Sequence, residues 1–283
     1  MKRPKVGLSV QIFWDYNKLD FDYAINHSVN DLGFECVEIL CQNPMYPGWG
    51  TPRAKKTTSK LKDILSTLDA GVSIHGPYHD LNIASLNVRI SNETVRQINE
   101  AIDVAAKLDS KIVVAHAGYM SSRKYRRDKA FGIMLKNFTR ITKHAENCGV
   151  TLCVENIASK PKALGVHVSG IKRILNTVNS KNFKLCLDAA HVNTTGIKPK
   201  EFAVRLKEYV SHVHVSDNTG NNEHLPLGMG NINFNEFLYA LKPYSGFLIV
   251  EGWIPSNEDH FLSWDKSRMD EVLDKVYGTR KKK

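Results

Sequence analysis

The chain has 283 residues, of which 42% are hydrophobic and 24% charged, a composition typical of a globular protein. This excludes disordered, collagen-like and coiled-coil proteins. No apolar run approaches the roughly 18 residues of a membrane span, so we expect no membrane partner, and the basic N-terminus lacks the apolar core of a signal peptide. Of the formal net charge of +10, seven charges lie in two basic tails, residues 1–5 and 280–283.

Eight short apolar or β-branched segments alternate with helical patterns along the chain. The predicted strands are residues 5–10, 36–40, 72–75, 111–116, 151–155, 184–188, 211–215 and 247–251. Between them, residues 91–108 and 129–148 have the apolar spacing of amphipathic helices. SNET at 91–94 predicts the start of the first of these helices, and Gly33, Gly71 and Gly149 are predicted to follow helix ends.

This alternation predicts the α/β fold class and a single (β/α)8 TIM barrel, with a doubly wound open sheet as the alternative. No composition break or linker interrupts the pattern, so we expect one domain over residues 1–283, carrying the two basic tails. An oligomer is possible.

The cysteines indicate a reducing compartment. The chain has five of them, an odd number, and no pair has zinc-ribbon spacing. We therefore predict free thiols and a cytoplasmic location. Cys153 and Cys186 each precede a candidate ligand by two residues, so they are predicted to fill the barrel interior.

Seven of the eight predicted strands end near an ionisable residue. These residues are Glu38, His75, His116, Glu155, Asp188, His214 and Glu251. A single histidine or glutamate there would be a structural or solvated residue. In a barrel, however, the C-terminal strand ends build one site, and several unpaired buried charges would cost several kcal/mol each. A bound divalent cation removes that cost, so the sequence predicts a metal site.

The predicted ligands of the first metal are Glu155, Asp188, His214 and Glu251. Three oxygens and one nitrogen suit Mn²⁺, Mg²⁺, Co²⁺ or Zn²⁺, and ligand type alone does not choose among them. Four further imidazoles can bind additional metal ions or donate hydrogen bonds to substrate oxygens: His75, His116, His191 and His224.

Seven motifs in chain order resemble the xylose isomerase-like barrel superfamily. They are HGPY, VVAHAGY, VEN, LDAAH, HVHVSDN, HLPLGMGNINF and VEGW. Together they extend from residue 75 to residue 253. The sugar isomerase and epimerase branch implies one metal on the four predicted ligands, with Glu155 and Glu251 as the acid/base pair. Ketose 3-epimerases also carry an arginine after the strand-seven histidine. SDNTGNN stands there instead, which argues against a free-ketose 3-epimerase.

The endonuclease IV branch is the alternative that the resemblance implies, a phosphodiesterase that cleaves DNA at abasic sites. Its three zinc ions have nine ligands, and eight of them match residues of this chain; the ninth, an aspartate, corresponds to Asn222. HLPLGMGNINF is more similar to the sugar isomerase branch. We therefore expect a sugar or sugar-phosphate substrate, with DNA as partner only under the alternative.

Two loops supply candidate substrate contacts. Residues 121–129 hold five basic residues and one acid, so Arg123 and Arg126 are candidate phosphate ligands, unless this stretch is only a solvated helix entry. Residues 41–58 are predicted to form a long loop whose Trp49 lines the substrate pocket.

Overall fold

Eight parallel strands close into a barrel in chain order. The computed structural model describes residues 2–14, 19–42, 50–252 and 258–279. The strands are β1 (Lys5–Ser9), β2 (Cys36–Leu40), β3 (Gly71–His75), β4 (Ile112–His116), β5 (Thr151–Glu155), β6 (Phe183–Asp188), β7 (Val210–Val215) and β8 (Phe247–Val250). Each pairs in parallel with its neighbours and β8 pairs with β1, which confirms the predicted (β/α)8 barrel. Each strand end lies within one residue of its predicted position.

Helices cover the outside of the barrel. They are α1 (Phe21–Asn26), α2 (Pro52–Ser66), α3 (Val88–Lys107), α4 (Arg127–Cys148), α5 (Val168–Val178), α6 (Ala189–Asn193), α7 (Pro199–Leu206), α8 (Phe234–Leu241) and α9 (Asp259–Tyr277). The principal core lies between these helices and the strands. No helix in the described ranges is long and apolar enough to span a membrane.

The barrel interior is filled by small apolar groups, as predicted for two of the cysteines. Cys153 and Cys186 are fully buried and pack with Val114 in a separate cluster. All five cysteines are free. Polar residues also lie in the interior: His212 and Ser73 are fully buried, and both donate hydrogen bonds to Glu38.

Two local predictions in this part of the chain were wrong. Helix α3 starts three residues before SNET, because the Asn87 side chain accepts the Arg89 backbone N–H and caps the helix there. Ser91 instead lies inside α3, where its hydroxyl accepts a hydrogen bond from the Asn137 amide of α4. Gly71 is the first residue of β3 rather than a helix cap, and a Cβ there would collide with the Phe247 ring.

The predicted long loop after β2 is shorter than its 18 residues, since α2 begins at Pro52 with Thr51 as its N-cap. Trp49 lies outside the described residues, as do residues 280–283 of the second tail. Gly149 has a positive φ of 67° at the end of α4, as predicted for a helix C-cap. The assignment of residues 1–283 to one domain stays a prediction.

Candidate active site

The four predicted metal ligands meet at the C-terminal ends of their strands. One potential ligand atom from each of Glu155, Asp188, His214 and Glu251 lies within 4.8 Å of the others. Nδ1 of His214 faces the three carboxylates, at 3.3 Å from Glu155, 3.2 Å from Glu251 and 4.0 Å from Asp188. Three of these side chains are fully buried, and Glu251 is 7% exposed. Three acids and one imidazole are thus gathered around one point.

The carboxylate of Asp188 is oriented by the helix that follows β6. Its Oδ1 accepts the backbone N–H of His191 at 2.5 Å and so caps α6. The backbone at Asp188 is held by Asn156, whose side chain accepts the Asp188 N–H at 2.9 Å and donates to its carbonyl at 3.0 Å. Oδ2 is buried without a hydrogen-bond partner. An unpaired buried carboxylate oxygen facing two other acids is the environment that a bound cation would satisfy.

The second imidazole nitrogen of His214 is held from inside the barrel. Its Nε2 lies 3.0 Å from Oε1 of Glu38, and Oε2 of Glu38 is 2.8 Å from Nε2 of His212. Ser73 donates its hydroxyl to the same Oε2 at 3.0 Å. Burial raises the pKa of Glu38, but His214 and His212 hold it well below its usual range. Glu38 is therefore an ionised carboxylate that orients a candidate ligand, as in carboxylate–histidine–metal arrangements.

Glu155 joins two groups of imidazoles. Its Oε1 faces His191 at 3.2 Å and His214 at 3.3 Å. Its Oε2 faces His116 at 3.2 Å and His75 at 3.3 Å. Burial raises the pKa of Glu155, but these imidazoles hold it well below its usual range. In the absence of metal, burial lowers the pKa of His191, but Asp188 and Glu155 raise it to about 9.

The remaining predicted imidazole, His224, is carried by the loop after β7. Its Nδ1 is 2.8 Å from the backbone oxygen of Glu251, and its ring centroid is 5.7 Å from that of His191. The structure thus brings all eight predicted acids and imidazoles into one connected group. Which of them bind metal stays a prediction.

A cavity of about 380 Å³ opens beside this group. His116, His191, His224 and Glu251 all line it. Arg123 and Arg126 are exposed and do not line it, and Arg126 pairs with Asp128 at 2.6 Å. Among the described lining residues, Lys160 is the single lysine or arginine. The structure therefore does not bring the predicted basic loop to the cavity.

Sequence reasoning missed several residues of the site. Gln11 follows β1 and donates its amide to Oε1 of Glu251 at 2.9 Å. Its position just beyond a strand end was the available signal. Lys160 follows the VEN motif by four residues, but no spacing rule marks such a loop residue. Glu38 was identified as ionisable, but its role inside the barrel depends on the register with β3, where it pairs with Ser73.

The loop that carries His224 is anchored at two buried acids. Asp217 accepts the backbone N–H groups of Gly228 at 2.9 Å and Ile232 at 3.1 Å. Asp265, on α9, accepts the Leu227 N–H at 2.7 Å, while its Oδ2 is buried without a partner. Burial raises the pKa of Asp265 to about 7, and the charge of Asp217 adds to the effect.

We predict that Glu38→Gln weakens divalent-metal binding by about 10- to 100-fold, because His214 loses its anionic partner. Calorimetric titration with Mn²⁺ and Zn²⁺ measures the affinity. Ser73→Ala is the matched control, since it removes one hydrogen bond to Glu38 and leaves the carboxylate charge. Wild-type affinity in Glu38→Gln would contradict a role for Glu38 in orienting His214.

We predict a pH-dependent stability difference for Asp265→Asn. The folded-state pKa of Asp265 is raised to about 7 from 3.8, so the folded protein holds this proton more tightly than the unfolded chain. Its contribution to the free energy of unfolding is then full below pH 4 and is lost as the pH rises to 7. Asparagine keeps the acceptor for Leu227 without the charge. Urea unfolding should show the variant gaining about 2–4 kcal/mol relative to wild type between pH 4 and pH 8; a constant difference would refute the assignment.

The sequence is similar to that of a known family and of several relatives. Residues 27–272 match a family described as xylose isomerase-like TIM barrel. The uncharacterized protein MJ1311 of Methanocaldococcus jannaschii is 34% identical over 77% of this chain and 74% of its own length. A probable endonuclease 4 of Mycobacterium ulcerans is 24% identical over 77% of this chain and 85% of its own length.

Solved structures give the same fold. A D-tagatose 3-epimerase-like protein superimposes with a TM-score of 0.83 at 28% identity, covering 96% of this chain and 98% of its own. The IolI protein with a bound zinc atom has a TM-score of 0.79 at 18% identity, covering 97% of this chain and 100% of its own. The match over residues 27–272 covers most of the sequence, so the chain belongs to the xylose isomerase-like TIM barrel family.

Proposed function

We propose that the protein is a divalent-metal-dependent isomerase or epimerase of a sugar or sugar phosphate. The observation that carries the proposal is the buried convergence of Glu155, Asp188 and Glu251 on Nδ1 of His214. Its similarity to the D-tagatose 3-epimerase-like protein supports sugar chemistry over other reactions of this fold.

The donor set fits one Mn²⁺, Zn²⁺, Co²⁺ or Mg²⁺ ion, held by Glu155, Asp188, His214 and Glu251. Oδ2 of Asp188 supports this fit, because it is buried and accepts no hydrogen bond, with the His191 imidazole 3.7 Å away. When bound, the cation would polarise a carbonyl and its adjacent hydroxyl and so acidify the C–H bond between them. The IolI protein, with its bound zinc atom, supports a metal in this fold.

Two carboxylates are available to move the proton. Burial raises the pKa of Glu251, but His214 lowers it to about 2, and Glu155 is also held well below its usual range. Both are therefore ionised at neutral pH and able to accept a proton from carbon. One carboxylate removes the proton from carbon, and the other, after taking a proton from solvent, returns one to the opposite face, which changes the configuration. Gln11 holds Oε1 of Glu251 during this transfer.

The cavity residues suit a polyhydroxylated substrate. The imidazoles of His116, His191 and His224 line it together with the amide of Gln11, and each can exchange hydrogen bonds with sugar hydroxyls. Lys160 also lines the cavity, and its ammonium group would bind a phosphate on the same substrate. The substrate contacts predicted for Arg123 and Arg126 are not supported by the lining of this cavity, and the one predicted for Trp49 stays a prediction.

We predict that Glu155→Gln lowers proton exchange at least about 100-fold, since a neutral amide cannot accept the substrate proton. Metal-loaded protein is incubated in D₂O with ketoses and aldoses, with and without a terminal phosphate, and carbon-bound deuterium is measured by mass spectrometry. Glu223→Gln is the matched control: Glu223 also lines the cavity and is half-buried, but its carboxylate accepts the Thr219 N–H at 3.0 Å. Full exchange by Glu155→Gln would refute its role as a proton carrier. No exchange by the metal-loaded wild type on any of these sugars would refute the proposed function.

A zinc phosphodiesterase acting at abasic sites in DNA is the second candidate. It is favoured by the positions of His75 and His116, which face the far oxygen of Glu155 as ligands of a further metal would. The similarity of this chain to the probable endonuclease 4 of Mycobacterium ulcerans also supports the phosphodiesterase. Against it, Asn222 provides a neutral amide where that branch has a ligand aspartate. Glu223 does not replace the aspartate, because Thr219 binds its carboxylate.

Nicking of duplex DNA with one abasic site separates the two candidates. We expect no nicking by zinc-loaded wild type, because one ligand of the three-metal arrangement is missing. Asn222→Asp is the informative variant, since it restores the missing carboxylate. Nicking by wild type that is absent from Glu155→Gln would overturn the isomerase proposal in favour of the nuclease.

A further inference from the structure

A second group of potential metal ligands lies on the outer face of the barrel. It consists of Asp103 on α3 together with His144 and Cys148 on α4, and we call it the α3–α4 cluster. Oδ1 of Asp103 is 2.7 Å from Nε2 of His144, and Sγ of Cys148 is 3.8 Å from both atoms. None of the three lines the cavity of the candidate active site.

The convergence follows from the two helices. His144 and Cys148 are four residues apart on α4, so their side chains project from the same face of the helix. Asp103 projects from α3, which packs beside α4 and is joined to it by the Asn137–Ser91 hydrogen bond. Ligands on two packed helices are held more rigidly than ligands on loops.

The geometry does not suit a nucleophilic cysteine. In a relay, the histidine would contact the thiol through one ring nitrogen and the acid through the other. Here the same Nε2 of His144 faces both groups. Burial raises the pKa of the Cys148 thiol, and the charge of Asp103 raises it further. The raised pKa disfavours the thiolate, which is the nucleophilic form of cysteine.

The same geometry suits a tetrahedral cation. Bonds of about 2.3 Å to sulfur and about 2.0 Å to nitrogen and oxygen place ligand atoms roughly 3.3–3.6 Å apart. The two distances of 3.8 Å to the Cys148 sulfur differ from this by a few tenths of an ångström. Oδ1 of Asp103 and Nε2 of His144, now 2.7 Å apart, would have to move apart by about half an ångström to bind the same ion. The side chains of His144 and Asp103 are 33% and 48% exposed, which gives water access to a fourth position.

We propose that Asp103, His144 and Cys148 bind one thiophilic divalent cation, of which Zn²⁺ fits best, and that this ion links α3 to α4. Thiolate, imidazole and carboxylate are all established zinc ligand types, whereas Mg²⁺ and Ca²⁺ prefer oxygen alone. Binding releases the Cys148 proton to solvent, so the sulfur bonds to the ion as thiolate. The site is separate from the candidate active site and does not depend on the proposed function.

Cobalt provides the test, because a thiolate–Co²⁺ bond gives a near-ultraviolet charge-transfer band. The reduced, metal-free full chain is titrated with Co²⁺. We expect the wild type to develop this band with one Co²⁺ per chain, and Cys148→Ser and His144→Ala to lose it. The four ligands proposed for the active site include no sulfur, so Glu155→Gln should keep the band.

His27→Ala is the matched control, since His27 forms a surface pair with Asp31 at 2.7 Å without a cysteine. It should leave the band unchanged, and circular dichroism verifies the fold of every variant. Zn²⁺ should also protect Cys148 from alkylation, as the other four cysteines of the chain are buried. No band in the wild type at saturating Co²⁺, or a band that survives in Cys148→Ser, would overturn the proposal.

Discussion

The position of the His214 imidazole between two sets of carboxylates determines the geometry of the candidate active site. Glu38 faces Nε2 from inside the barrel, and Glu155 and Glu251 face Nδ1 from the strand ends. Burial lowers the pKa of His214, but these carboxylates hold it well above its usual range. Without metal the ring is therefore a cation that balances its acids. A divalent cation held by Glu155, Asp188, His214 and Glu251 would take over that balance, and His214 would lose its Nδ1 proton on binding it.

This arrangement explains why a polar residue stands inside an otherwise apolar barrel. A buried glutamate would be costly alone, but Glu38 accepts hydrogen bonds from His212 and Ser73 and lies 3.0 Å from the His214 imidazole. The group spans three strands, β2, β3 and β7, so it also favours one register among them. The fold and the site are thus supported by the same buried carboxylate.

The strand pattern and the strand-end residues were predictable from sequence because both follow from local periodicity. Parallel strands buried on both faces read as short apolar runs, and their C-terminal ends meet at one face of the barrel. The contacts of Glu38 and His212 were not predictable, because they depend on which residues lie opposite across separate strands. Asn87 was missed as the N-cap of α3 because SNET has equally good capping residues. The hydrogen bond from Asn137 shows that Ser91 lies inside the helix instead.

Glu155 explains why the same sequence resembles two branches with different reactions. Its Oε1 lies close to the imidazoles of His214 and His191, whereas its Oε2 lies close to those of His75 and His116. With one metal, the imidazole of His116, which lines the cavity, would be available for substrate hydroxyls. With further metals, His75 and His116 would be candidate ligands together with Glu155. The choice depends on whether the loop after β7 supplies another anionic ligand. Here Asn222 is neutral and Glu223 is bound to Thr219, so the loop favours the single-metal arrangement.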